Sequence, residues 1–90
     1  MNQLYNSEKD DLITILSEYT QSPVLFVRFV ALMHPDTPVT FVEEASQSLF
    51  WLERYAIAVN PAAPRKLREK LAEDANRIVN AAARANLLIM

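Results

Sequence analysis

Apolar residues recur every three to four positions along most of this chain, and the whole pattern then recurs after 26 residues. Residues 13–38, 39–64 and 65–90 align without a gap. Phe26, Leu52 and Ile78 fall in one column, and Arg28, Arg54 and Asn80 in another. His34-Pro35 lies over Asn60-Pro61, and Pro38 over Pro64. A period of this length marks an array of supersecondary units, none of which can bury its apolar face alone.

Each unit predicts two short helices. First helices are expected to begin at Asp11, Thr37 and Ala63, with Pro38 and Pro64 at the first helical position, where a missing N–H costs nothing. Second helices are expected to begin at Ser22, Ser48 and Asp74, all capping residues. In the first helices Ile15, Phe41 and Leu67 share an apolar column, followed four residues on by Tyr19, Ala45 and Leu71. In the second helices Phe26, Val30 and Met33 form a stripe repeated by Leu52, Ala56 and Val59 and by Ile78, Ala82 and Ala85. That stripe is expected to face inward. The reading is therefore one all-α domain: an N-terminal capping segment over residues 1–12, then a short right-handed α-solenoid of three two-helix repeats. Leu4 and Tyr5 of the capping segment are candidates to pack against Trp51.

The strings Val27-Arg28-Phe29-Val30-Ala31 with His34-Pro35-Asp36-Thr37-Pro38, and Glu53-Arg54-Tyr55-Ala56-Ile57-Ala58-Val59-Asn60-Pro61 with Pro64, resemble the leucine-rich repeat variant family. Its units carry a V-R-x-A-V-A-x-N-P-x-T-P core and are similar to HEAT-type arrays. The resemblance covers residues 13–90 and implies a right-handed superhelix, with second helices partly of 3-10 type, and a bacterial origin. The period here is a little longer than the family's unit. The third repeat ends in Asn86-Leu87-Leu88-Ile89-Met90 without the proline turn, as a capping unit should. Some members of the family carry an Fe–S cluster on N-terminal cysteines. With no Cys in this chain, that property does not carry over. The family has no common catalytic activity, so the resemblance implies a fold and a binding style.

Composition narrows the function classes. The chain has 90 residues, 51% of them hydrophobic, enough for one small folded domain. It contains no Gly, which argues against hairpin-rich β folds, phosphate loops and dinucleotide fingerprints. The lack of Cys removes disulfides and thiolate metal sites and fits a reducing, cytoplasmic compartment. Met1 is not followed by a basic and then apolar leader, and the longest apolar run, Val24 to Met33, is interrupted by Arg28. It is too short to span a membrane. Net charge is −2, but residues 1–64 carry −5 and residues 65–90 carry +3. The chain is electrically polarised.

No nucleophile–base arrangement is visible, so the chain reads as non-catalytic, with no cofactor and no metal. His34, the single histidine, reads as a turn residue between repeats. Arg28 and Arg54 read either as anion-binding side chains or, more simply, as structural residues paired with acids such as Glu53 or Asp74. Phe50 and Trp51 open the middle second helix, with Phe29 and Tyr55 in the column beside the arginines. These aromatics either pack internally or anchor a partner. Arg65, Lys66, Arg68 and Lys70 form a basic cluster capable of binding phosphates. The expected role is a small protein-interaction or adaptor module. It would bind a protein partner or self-associate, a homodimer being one such form. The alternative is a nucleic-acid-binding accessory protein using the basic third repeat.

Overall fold

Prolines, hydroxyls and amides divide the chain into helices. The computed structural model describes residues 2–89, and side chains from Glu8 to Leu88. The helices are α1 (Asn2–Tyr19), α2 (Leu25–Met33), α3 (Val39–Ala45), α4 (Trp51–Val59), α5 (Arg65–Leu71) and α6 (Arg77–Ile89). Among the described residues there is no strand. The second helices α2, α4 and α6 are all α-helical, which corrects the expectation of partial 3-10 structure.

Backbone geometry recurs at the sequence period. The residues before α2 and α4, Val24 and Phe50, have φ/ψ of −89/116° and −88/114°. Those before α3 and α5, Pro38 and Pro64, have −55/140° and −55/141°. His34 and Asn60 end α2 and α4 in extended backbone, and the proline after each prevents the helix from continuing.

Two boundaries differ from the sequence reading. No helix begins at Asp11, because α1 runs through it. Neither Gly nor Pro interrupts residues 2–19, and the Asp10 carbonyl accepts the Thr14 hydroxyl at 2.9 Å inside the helix. The second helices begin three residues after Ser22, Ser48 and Asp74. Each of these side chains accepts the N–H two residues on, at 3.1, 3.1 and 2.8 Å. They close a hydroxyl or carboxylate turn that leads into the helix rather than capping it. Thr37 likewise ties back, donating its hydroxyl to the Ala31 carbonyl. The proposed contacts of Leu4 and Tyr5 lie outside the described side chains, as do those of Ile89 and Met90.

Helix α4 lies between α2 and α6, while α1, α3 and α5 lie against this row. The molecule measures 45 × 31 × 16 Å. Its thinnest dimension is the depth of two helices packed about 10 Å apart. The core is a thin seam of small and branched side chains: Ala31, Ile57 and Ala83 in one column are fully buried, joined by Ala56, Ala58, Val79, Leu71, Leu32 and Val42.

This core corrects the expected inward stripe. Phe26, Val30 and Met33 are 66%, 49% and 37% exposed, and Ile78 is 54% exposed. In the middle unit the same columns are covered: Ala56 is fully buried, and Leu52 and Val59 are half-buried. The buried face lies one residue further round the helix. Helix α2 reads Leu-Phe-Val-Arg-Phe-Val-Ala-Leu-Met, apolar on nearly every side, so periodicity alone cannot select its inner face.

A buried amide joins successive units. Asn60 is 1% exposed, and its Nδ2 donates to the carbonyls of Leu32 at 2.8 Å and His34 at 3.1 Å. Its Oδ1 accepts the Ala62 N–H at 2.8 Å. Twenty-six residues on, Asn86 donates to the carbonyl of Ala58. His34, in the same column, accepts the Asp36 N–H on Nδ1 at 3.0 Å and serves its turn. Carbonyls in the last turn of α2 and α4 thus receive donors from the following unit.

Replacing Asn60 by Ala leaves those carbonyls unsatisfied in the interior. The expected loss is about 1–3 kcal/mol of stability, read as a thermal midpoint lower by about 4–8 °C per kcal/mol in a domain of this size. Circular dichroism melts of the two proteins provide the check. An unchanged midpoint refutes the role given to the amide.

Candidate functional site

The arginine column is occupied internally. Arg28 Nε bonds to Glu53 Oε1, and its Nη1 donates to the Ser22 carbonyl at 2.8 Å. Arg54 binds Asp74 through two bonds, Nε–Oδ2 at 2.7 Å and Nη2–Oδ1 at 3.2 Å, and its Nη1 donates to the Ser48 carbonyl at 2.6 Å. Asn80 keeps the last of these contacts, donating to the Asp74 carbonyl at 3.0 Å. The two carboxylates occupy different columns: Glu53 is on α4, and Asp74 is in the turn before α6. Each pair links one unit to the next. All four side chains are mostly covered, so these arginines have little freedom to meet a partner.

Asp74 titrates below its ordinary value of 3.8. The Arg54 hydrogen bonds hold it down against the opposing effect of burial, with help from the Asn76 N–H and the charge of Arg54. A depressed carboxyl stabilises the fold above its unfolded pKa, and that contribution is lost as pH falls through the folded value.

The aromatics divide between two faces. Phe29 stacks on Tyr55 with ring centres 6.1 Å apart and planes inclined by 8°. Trp51 meets Tyr55 edge-on at 6.3 Å, and Phe26 meets Phe29 at 6.0 Å. These four rings form a continuous row across α2 and α4, and Phe26 and Trp51 remain exposed. Sequence reasoning missed Phe26 because its column was assigned to the core. Beside the row, Tyr55, Arg77, Ala81 and Arg84 line a depression of about 770 Å³. Arg84 donates to the Ala72 carbonyl at the end of α5.

Phe50 belongs elsewhere. It is 56% exposed, next to Leu49 at 96%, and the Arg28 guanidinium lies over its ring at 5.6 Å. With Thr20, Phe41, Ser48 and the Arg28–Glu53 pair it borders an open cleft of about 550 Å³ between the α1–α2 and α3–α4 turns.

The basic cluster does not share one surface. Arg68 is 4% exposed, in the column that holds Leu16 and Val42, and its Nε makes no hydrogen bond among the described residues. Arg65 pairs with Glu69 at 3.0 Å across an exposed helical turn. Lys66 and Lys70 remain exposed and line a small hollow with Glu43. Among the described residues, no group of His, Asp and Glu side chains converges as metal ligands would, and no helix is long and apolar enough to cross a membrane. No family model, curated protein or solved structure matches this chain.

Two consequences are measurable. Asp74→Asn is expected to destabilise the protein at neutral pH by about 1–3 kcal/mol, since it replaces a charge-assisted pair. The difference from wild type should close as pH falls below 3.8, followed by urea unfolding across pH. Arg68→Met replaces a buried, incompletely bonded cation by an apolar chain of similar length, and the melting temperature is expected to rise. A fall in melting temperature would show that the guanidinium stabilises the fold.

Proposed function

We propose that this chain is a small non-catalytic protein-interaction module whose docking surface is the aromatic row on α2 and α4. The observation that carries this reading is the row itself: four rings in sequence at 6.0, 6.1 and 6.3 Å, with Phe26 66% and Trp51 40% exposed. Exposed aromatics in a contiguous patch are favoured as binding anchors, because they provide large contact area at low conformational cost. Phe29, Tyr55 and Trp51 form the centre of the surface. Phe50 contributes at the separate cleft, and Arg28 and Arg54 act by holding the helices that present the rings.

The architecture we propose is the short right-handed α-solenoid of three two-helix repeats, of the leucine-rich repeat variant kind. Recurrence of backbone torsions, turn hydrogen bonds and asparagine contacts at the 26-residue period supports a stacked array. The handedness rests on the family resemblance. The nucleic-acid alternative has weaker support, because Arg68 is buried and Arg65 is paired with Glu69, leaving only Lys66 and Lys70 of the cluster exposed and unpaired among the described residues.

The test is selection of binding peptides from a random library on the wild-type protein, followed by affinity measurement on Trp51→Ala. Loss of a central aromatic anchor is expected to weaken binding by about 2 kcal/mol, roughly thirtyfold, with the helical spectrum unchanged. Selected peptides that bind Trp51→Ala as tightly as wild type place the docking surface elsewhere. A gel shift with single- and double-stranded DNA, repeated across salt, tests the alternative: binding that falls steeply with salt would favour it.

A further inference from the structure

The two ends of the helix row differ in chemistry. At one end, the side of α2 turned away from α4 presents Phe26, Val30 and Met33, and α1 adds Ile15 and Tyr19; all five are between 37% and 66% exposed. In the next unit the corresponding α4 side chains Leu52, Ala56 and Val59 are buried or half-buried, and α4 packs against α2. This end is therefore shaped to receive the far side of another such helix. The charges around it are mostly acidic: Glu8, Asp11 and Glu18 share the Ile15 side of α1 and Asp36 lies beside Glu8, all exposed, with Lys9 the cation next to them among the described residues.

At the other end, α6 presents Arg77, Ala81, Arg84 and Leu88 at helical spacing, all exposed, with Leu88 at 89%. This is a basic amphipathic stripe: small and apolar positions flanked by cations. It occupies on α6 the side that α2 and α4 use to cover their successors. Lys66 and Lys70 on the adjoining helix add positive charge.

We propose that the basic α6 end of one copy docks on the acidic-rimmed apolar end of a second copy, so that the helix row continues from molecule to molecule. Ala81 and Leu88 then meet the Phe26, Val30 and Met33 side, and Arg77 and Arg84 face the acids of α1 and Asp36. A two-fold contact between like ends is disfavoured, because it sets Glu8, Asp11, Glu18 and Asp36 against the same four acids. A heterologous contact of this kind does not saturate at two copies. It grows into an open chain or closes as a ring of more than two. The inference rests on the interaction-module reading and shares Phe26 with the aromatic row but not Trp51, so Trp51→Ala is expected to self-associate as wild type does. Loss of peptide binding and loss of self-association are thus separable.

The experiment disables one end at a time. Val30→Glu places an acid in the apolar end, and Ala81→Glu places one in the basic stripe. Both positions are exposed, and Glu is a good helix former, so both variants are expected to keep the wild-type circular dichroism. Mass is read by light scattering after size exclusion. Wild type is expected to exceed the dimer mass as concentration rises to the solubility limit. It should lose that association between roughly 0.1 M and 1 M salt, where the Debye length falls from about 10 Å to about 3 Å. Each variant alone is expected to be a monomer. An equimolar mixture is expected to form a 1:1 dimer and grow no further, since each retains the end that the other lacks. Four outcomes would overturn the proposal: a wild type that stays monomeric, an assembly that stops at two, Ala81→Glu dimerising by itself, or association indifferent to salt. Should either variant fail to fold, the wild-type mass series and its salt dependence still decide the matter.

Discussion

Helices of seven to nine residues are too short to be stable by themselves in water. Every one leaves carbonyl groups at its end that something must satisfy. The rest of this structure depends on how that is done. The proline turns stop α2 and α4 abruptly, and the next unit supplies a missing donor through an asparagine. Asn60 reaches carbonyls at the end of α2, and Asn86 reaches one near the end of α4. Because each donor comes from the following unit, a helix end is completed only when its neighbour is in place. Folding of one unit and docking of the next thereby become a single event. The arginine pairs act in the same direction at the opposite ends of the second helices, joining Arg28 to Glu53 and Arg54 to Asp74.

Such side chains also limit how much core the molecule needs. A slab two helices deep has little interior, and the deepest positions are mostly alanines, with Ile57 and Val79 among them. Small residues let α2, α4 and α6 approach closely. They also bury little apolar area per residue, so area burial contributes less here than in a thicker domain. Directional bonds across the seams compensate by making each buried polar group complementary to a neighbour. Arg68 is the exception. It occupies a column that holds Leu16 and Val42 elsewhere, and its buried Nε makes no hydrogen bond among the described residues.

The 26-residue period was legible in the sequence, and with it the number and order of the helices, the turns and the structural pairing of the arginines with Glu53 and Asp74. Those features rest on local chemistry: proline, hydroxyls, amides and opposite charges at fixed offsets. The inner face of the second helices was not legible. Helix α2 is apolar on so many sides that the 26/30/33 stripe and the 27/31 stripe are equally plausible by period, and only packing against α4 separates them. Helix starts were misjudged for a related reason: a serine that accepts an N–H two residues on leads into the helix three residues early, and the sequence does not distinguish that from capping. The continuous α1 has the opposite cause. Asp11 is a good cap, but nothing before it breaks the helix. Of the candidate site, Phe29, Tyr55 and Trp51 were named from the sequence, but Trp51 was set with Phe50, which lies at a separate cleft; Phe26 was lost with the misassigned face, and Arg68 was grouped by sequence with cations it does not accompany in space.

The division of labour among columns follows from these constraints. A mostly covered side chain that spends its donors on a neighbour's carbonyl or carboxylate cannot also recognise an outside molecule without leaving a buried group unpaired. On the proposed reading, recognition therefore falls to columns that the internal network leaves free. In the second helices these are the columns of Leu25, Trp51 and Arg77, of Phe29, Tyr55 and Ala81, and of Phe26, Leu52 and Ile78. Their side chains make no hydrogen bond across the seams among the described residues, although Phe29 and Tyr55 also pack against the core, and their chemistry differs from unit to unit: leucine, tryptophan, then arginine in the first; phenylalanine, tyrosine, then alanine in the second. The seam residues vary less: arginine, arginine, then asparagine at 28, 54 and 80, and histidine, asparagine, then asparagine at 34, 60 and 86. On the proposed reading, the more variable columns carry the binding surface and the seam columns form its scaffold.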